Sequence, residues 1–397
     1  FVGGFLTPLF LVGFMTRIFG KNKSWSEGFA IWPFALFSAL AFTIPYVLIN
    51  HFVNYELTSM LGALTGLIIV IFAARNKFLT PKEDETWDFL DKKDWEANWT
   101  GNIDVKYVEK PGGMSTLVAW LPYVYVAGLI LFTRLIPPVK NFLNSVIITY
   151  PKIGGLAENW AILYSPGTIF IIVSLLTFFT HGMKADAYKR AWQQASKVIV
   201  SASVALIFTV PMVQVFINSD GGAAGLLKMP YALAEATYQL TGGLWPLFAP
   251  IIGGLGAFVA GSNTVSNMTF SLFQFKTAQL IVEGNPALAP MALQWPIWVV
   301  ALQAIGGAAG NTICIHNVVA ASAVVGFVGR EGDTIRKTFL FFLYYAFIPG
   351  AFGYSYLYWA AHGPLNLGTI IIVIFYAAVI YMLATNKKRL RKLNGTL

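Results

Sequence analysis

The chain has 397 residues, of which 56% are hydrophobic, 15% are aromatic and only 11% are charged. Because soluble proteins carry roughly a quarter of charged residues, a soluble fold of this length cannot hide so much apolar surface. The composition therefore predicts an all-α, polytopic membrane protein and excludes the secreted, disordered and cytosolic classes. Lysine and arginine outnumber acids by 27 to 18, a surplus that indicates membrane topology and contact with membrane lipid, with no nucleic acid as partner.

Apolar runs recur along the chain at the length of about 20 residues that a spanning helix needs. The predicted spans are 1–19, 29–49, 57–74, 115–133, 166–181, 198–217, 337–358 and 367–385, with less regular ones between 226 and 328. Lysine and arginine in the short loops alternate between the two sides, which places the loop 81–113 and the C-terminal tail in the cytoplasm. The single cysteine, Cys314, excludes a disulfide framework, and the sequence shows no zinc-type spacing.

Composition divides the chain into five segments. They are helices of the first half (1–80), a polar cytoplasmic loop (81–113), helices that start the second half (114–217), a transport region (218–329), and C-terminal helices with a basic tail (330–397). In the polar loop, Trp87, Trp95 and Trp99 predict a short amphipathic piece within a solvated loop, with docking at the membrane interface as the alternative. The sequence starts at Phe1 with neither a Met nor the basic region of a signal peptide, so we expect further residues before Phe1.

Two interruptions of apolar runs are the candidate functional features, because irregular backbone at membrane depth persists only where it lines a cavity or is buried in protein. The first is the Gly-Ser-Asn-Thr-Val-Ser-Asn segment 261–267, between two apolar arms. It predicts a re-entrant hairpin with its tip near the membrane midplane. Ser262, Asn263 or Ser266 is expected to cap the second arm, and the amides at that helix end suit a carboxylate.

The second interruption runs from Gly306 to Thr312 and predicts an unwound helix. Its carbonyls can hold a cation and its amides an anion. Small residues in membrane helices also indicate close helix packing, and an isolated pair such as Gly253 and Gly254 favours that interpretation. Polar residues beside the glycines at both interruptions favour breaks that form a site.

His316 and Glu235 are the candidates for proton coupling, because ionisable groups within a membrane are costly and usually functional. An imidazole gains and loses its proton near neutral pH. Two alternatives stay open: a neutral His316 bonded to a helix carbonyl, and Glu235 reaching the interface from a helix end. The sequence shows no catalytic or nucleotide-binding motif, so we predict a protein that is not an enzyme, needs no cofactor or metal, and draws on an ion gradient.

Both interrupted segments resemble the L-lactate permease family. The resemblance rests on 261–267 and 270–274, and on 306–311, 314–326 and 329–331. It implies a secondary transporter of the cell membrane that imports L-lactate and related 2-hydroxy-monocarboxylates such as glycolate by proton symport. It also places the chain near the ion transporter superfamily, which implies inverted repeats, re-entrant hairpins, broken helices and elevator-type motion. A homodimer is the assembly that we consider.

The resemblance also implies where substrate binds. Ser262, Asn263 and Thr264 would lie at the hairpin tip, and Gly310, Asn311 and Thr312 at the helix break. With Ser266, these are the predicted substrate-binding residues, and Asn311 or Asn263 would bind the 2-hydroxyl. The alternatives are a sodium-coupled carboxylate transporter of the same superfamily and a non-transporting membrane receptor. The family's Gly-rich motifs of the first half are absent from 1–397, and we expect them upstream of Phe1.

Overall fold

A computed structural model describes residues 3–81, 87–96, 99–100, 113–150, 159–220, 222–325, 327 and 329–393. Of the predicted polar loop, 82–86, 97–98 and 101–112 therefore lie outside the described residues. The described part contains a 3-10 turn at Lys92–Asp94 and an isolated bridge between Phe89 and Gly20. The chain forms two compact units. Unit 1 comprises residues 1–48, 62–105 and 204–397, and unit 2 comprises residues 49–61 and 106–203.

Helices dominate the described residues. In chain order they are α1 (Thr7–Phe19), α2 (Trp25–Phe29), α3 (Trp32–Phe52), α4 (Thr58–Arg75), α5 (Thr116–Leu135), α6 (Pro137–Ser145), α7 (Pro166–Thr180), α8 (Ala185–Ile217), α9 (Met229–Thr241), α10 (Trp245–Ala260), α11 (Asn263–Glu283), α12 (Gln294–Gly310), α13 (Ile315–Val324), α14 (Glu331–Leu357), α15 (Trp359–His362) and α16 (Leu367–Leu393). A small antiparallel sheet pairs β1 (Ile147–Thr149) with β2 (Asn159–Ala161). Seven helical segments within the described residues are long and apolar enough to cross a membrane. The predicted all-α, polytopic class is confirmed.

Two helices begin well before the predicted spans. Helix α8 begins at Ala185 rather than near 198, because its polar first part is rich in good helix formers and is held by contacts of its own. The hydroxyl of Tyr188 lies 2.7 Å from that of Ser174 on α7. Helix α14 begins at Glu331 rather than 337, with Glu331 and Asp333 in its first turn, where carboxylates stabilise the positive helix end.

Unit 2 contains a buried arginine that the sequence analysis missed. The Nε atom of Arg134, near the end of α5, lies 2.9 Å from Oε2 of Glu56. Its Nη2 atom donates a hydrogen bond of 2.8 Å to the Tyr164 carbonyl, and the guanidinium carbon lies 3.5 Å from the centroid of the Tyr164 ring. Because a buried charge is tolerated only with close partners, this cluster holds together three separate segments of unit 2.

In unit 1, α10 and α12 pack so closely that their backbones touch. A Cβ atom added to Gly306 would overlap with the Pro250 carbonyl, and one added to Gly310 would overlap with the Gly254 carbonyl. Gly253 stands in the same relation to the carbonyl of Gln303. The packing interpretation of these glycines is therefore correct, and it follows the rule that small residues let membrane helices approach.

We expect Gly306→Ala to destabilise unit 1, because the added methyl group meets backbone rather than a flexible side chain. Overpacking of this kind costs about 1–3 kcal/mol. The measurement is the thermal unfolding midpoint of the detergent-solubilised protein. Gly332→Ala on α14 is the matched control, since a Cβ there meets nothing within 4 Å. Equal midpoints for the two variants would show that α10 and α12 are not in contact at Gly306.

Candidate functional site

A helical hairpin forms the first part of the site. Helix α10 has 16 residues, a length of about 24 Å, and forms the second part of the candidate span Met229–Ala260. It ends at Gly261, whose φ of +76° favours glycine and whose N–H donates a 2.9 Å hydrogen bond to the carbonyl of Ala257. Helix α11 starts two residues later, at Asn263. The chain therefore reverses at the predicted polar segment.

The predicted side-chain cap on α11 is wrong. Ser262 occupies the N-cap position in an extended conformation, but no side chain there bonds the helix. The Ser266 hydroxyl instead donates a 2.7 Å hydrogen bond to the carbonyl of Gly253 on α10. It turns to this carbonyl because Gly256 lacks the Cβ that would occupy its position. The first-turn amides of α11, which have no partner within the helix, are therefore left without a side-chain cap.

The helix break begins later than predicted. Helix α12 continues through Gly306 and Gly307 to Gly310, because contact with α10 stabilises the helical backbone there. The break covers 311–314, and α13 starts at Ile315 without a side-chain cap. From the break, the Thr312 hydroxyl donates a 2.8 Å bond to the carbonyl of Ala309 on α12, and the side-chain amide of Asn317 on α13 donates a 3.4 Å bond to the carbonyl of Asn311.

The two interruptions meet at the hairpin tip. The Asn263 side-chain oxygen lies against Gly307, where a Cβ would overlap with it. A Cβ on Gly261 would lie 2.7 Å from Nδ1 of His316, the second residue of α13. The turn between α10 and α11 is therefore in contact with α12 through Asn263 and with the start of α13 through Gly261, and the His316 ring lies beside the tip.

Buried polar groups without partners mark this contact. The Asn263 Oδ1 and Gln303 Oε1 atoms are both buried and accept no hydrogen bond from any described residue. The Gln303 amide donates to Asn267 at 2.8 Å and to the hydroxyl of Ser266 at 3.3 Å. Sequence analysis missed Gln303, although a glutamine in the otherwise apolar α12 was a visible signal. Asn267 lies in the predicted polar segment but was not among the predicted site residues.

Three other predicted residues lie in different surroundings. Gly310 is buried and packs on α10, whereas Thr264 is exposed at the start of α11. Glu235 lies apart from the tip: its helix, α9, packs along the far half of α11, where Tyr231 contacts Lys276. Lys276 is 13 residues from Asn263, about 20 Å along the helix. The described residues contain no group of three His, Cys, Asp or Glu side chains that could hold a metal ion.

These features define a polytopic helical membrane protein in which a hairpin tip is in contact with a broken helix, and in which α10 and α12 pack closely at their glycines. The sequence pattern of one family, L-lactate permease, matches residues 2–357. The chain belongs to the L-lactate permease family, a family of permeases rather than enzymes. The family resemblance drawn from the two interrupted segments is confirmed.

Curated relatives agree with this assignment. A relative from Haemophilus influenzae is 29% identical over 338 residues, covering 79% of this chain and 57% of its own length. The L-lactate permease of Bacillus subtilis is 27% identical, covering 83% of this chain and 59% of its own length. The glycolate permease of Escherichia coli is 24% identical, covering 87% of this chain and 61% of its own length. The chain thus spans a little over half the length of these relatives. No solved structure matches the chain.

Proposed function

We propose that this chain forms part of a secondary transporter that imports L-lactate and related 2-hydroxy-monocarboxylates, such as glycolate, by proton symport. The observation that carries the proposal is the pairing, at one hairpin tip, of an uncapped helix end with a buried oxygen that lacks a donor. Membership of the L-lactate permease family and relatives named for lactate and glycolate support the substrate class.

The hairpin tip is chemically complementary to a 2-hydroxy acid. Backbone amides at a helix N-terminus donate to a carboxylate, so no lysine or arginine is required. The carbonyl oxygen of Asn263 can only accept, and the hydroxyl beside the carboxylate is the one donor that such a substrate offers. In this proposal Ser262, Thr264 and the α11 amides bind the carboxylate, with Asn263 or Asn311 at the hydroxyl.

The remaining predicted residues support this site from the α12 side. Ser266 and Gly310 fix the hairpin and α12 against each other through their contacts with α10. Thr312 belongs to the break, and its hydroxyl donates to the carbonyl of Ala309 near the end of α12. Their contribution to binding in this proposal is to position Asn311 and the tip rather than to supply charge.

For the proton we propose His316, with Glu235 as the second candidate. The His316 ring adjoins Gly261 at the tip, so a change in its charge would act directly on a carboxylate bound there. Glu235 is exposed on α9 and near the opposite end of α11, which supports the interface role over a coupling role. A sodium-coupled carrier is the alternative, because oxygens without donors also suit a hard cation.

We further propose that the protein is a multi-pass protein of the cell membrane, with the loop 81–113 and the C-terminal tail in the cytoplasm. The distribution of lysine and arginine supports this orientation. We also propose the inverted repeats and elevator-type motion of the ion transporter superfamily, and assembly as a homodimer. The contact between a hairpin and a broken helix supports this part of the proposal.

We expect Asn263→Ala and Asn311→Ala to lower counterflow of labelled L-lactate in proteoliposomes about tenfold, since one lost hydrogen bond to a substrate is worth about 1.5 kcal/mol. Asn218→Ala is the matched control, because Asn218 is exposed at the end of α8 and bonds only Gln214. Normal counterflow in both site variants, with normal protein levels in the vesicles, would refute the proposed site. Binding of lactate without flux in the wild type would favour a receptor.

We expect an imposed proton gradient to drive lactate uptake when sodium is replaced by choline. In His316→Gln we expect counterflow to persist while the proton-driven accumulation is lost, because exchange needs no net proton movement. Glu235→Gln should retain both activities. Uptake that requires sodium would replace the proton proposal with the sodium-coupled alternative, and unaltered accumulation in His316→Gln would exclude this histidine from coupling.

Orientation is testable with a matched pair of cysteine variants. Gly113→Cys in the polar loop and Gly222→Cys after α8 both add a side chain in open space, and the native Cys314 is buried. We expect an impermeant maleimide to label only Gly222→Cys in intact cells, and Gly113→Cys after permeabilisation. Labelling of Gly113→Cys in intact cells would reverse the proposed topology.

A further inference from the structure

Unit 1 contains an apolar cavity that is open at the surface, where Leu340 and Phe347 of its wall are half exposed, and none of its lining residues belongs to the hairpin tip. Its volume is about 440 Å³, and it lies among α1, α2, α14 and α16. Aromatic and aliphatic side chains form nearly all of its wall, among them Phe10, Phe14, Leu340, Phe347 and Phe375. A cavity of this size is in the range of ligand pockets, and its lining suits a hydrocarbon chain.

One end of the cavity is polar and positively charged. Arg389, three residues beyond the apolar part of α16, lines it together with Ser26. Asn386 is buried beside them: its amide donates a 3.0 Å bond to the carbonyl of Ser26, while its Oδ1 atom has no partner among the described residues. None of the ion pairs between described residues involves Arg389. An anion at this end would meet an uncompensated charge.

The adjacent helix ends are basic as well. The ammonium group of Lys337, near the start of α14, lies 5.4 Å from the ring centroid of Phe19 at the end of α1. Arg17 occupies the last turn of α1. Basic residues of three helices therefore lie at the end where Arg389 lies, beside the acidic first turn of α14, in which Asp333 is paired with Arg330. Clusters of basic residues attract anionic headgroups.

The length of the cavity matches one leaflet. Phe375 and Arg389 are 14 residues apart on α16, which is about 21 Å along the helix. Half of a bilayer with its headgroups is also about 21 Å thick. A lipid whose tail end lies near Phe375 would thus bring its phosphate to the level of Arg389.

We propose that this cavity is a binding site for an anionic phospholipid of the bilayer, with one acyl chain between α1, α14 and α16 and the phosphate on Arg389. The site is distinct from the substrate region, because it shares no residue with the hairpin tip. It gives the basic end of α16 a specific ligand rather than a general attraction to the membrane surface.

The test measures, by native mass spectrometry, the binding of dioleoyl phosphatidylglycerol and of dioleoyl phosphatidylcholine to the purified full chain. We expect the wild type to prefer phosphatidylglycerol, and Arg389→Gln to weaken its binding about fivefold, the effect of one basic residue on an anionic lipid. Arg75→Gln is the matched control, since Arg75 is exposed in the last turn of α4 and does not line the cavity.

A cavity-filling variant tests the acyl site separately. Leu340→Trp should lower the binding of phosphatidylglycerol, because Leu340 lines the cavity. Leu64→Trp should not, because Leu64, at a comparably exposed position of α4, does not line it. Equal binding of the two lipids by the wild type, or equal loss in Arg389→Gln and Arg75→Gln, would overturn the proposal. Displacement of the lipid by an equal concentration of palmitate would assign the cavity to a free fatty acid instead, and lipid-free dimers would assign it to a second copy of the chain.

Discussion

The contact between the backbones of α10 and α12 is the constraint on which the functional region depends. At Gly306 and Gly310 the carbonyls of α10 occupy the space where a side chain would be. Lipid tails are as apolar as leucine, so membrane helices are held by close packing rather than by the hydrophobic effect. Two helices gain the most van der Waals attraction where small residues let their backbones touch. The hairpin tip reaches the end of α12 because its first arm, α10, lies directly on that helix.

The buried polar network follows from the same contact. Gly256 leaves space for the hydroxyl of Ser266, which joins α11 to the Gly253 carbonyl, and Gln303 joins α12 to Ser266 and Asn267. In a low-dielectric interior these bonds are strong, and an unmade bond is costly. The network therefore fixes the rotation of α11 about its axis. The same rotation directs the Asn263 oxygen towards Gly307, where it meets no donor.

Much of this architecture was predictable from the sequence, because apolar length and polar interruptions are local properties. The positions of most spans and of the turn at Gly261 are examples. Helix α12 was misjudged at Gly306, since the low helix propensity of glycine is outweighed by a tertiary contact with α10 that no local pattern contains. The partner of Arg134 is Glu56, far away in sequence, so its burial could not be predicted from its position near a helix end. The Ser266 hydroxyl was misassigned for a similar reason.

The absence of lysine and arginine from the described hairpin tip bears on coupling as well as on binding. A helix N-terminus contributes only about half an elementary charge, which holds a carboxylate without creating a permanent ion pair. A fixed cation would leave a charge to be desolvated whenever the site is empty, and that cost is large in a membrane. Under the proposed symport, lactate and a proton on His316 together carry no net charge. If the chain transports as proposed, a site without lysine or arginine is suited to crossing in both loaded and empty forms, and the 11% charge content of the chain then fits transport as well as insertion.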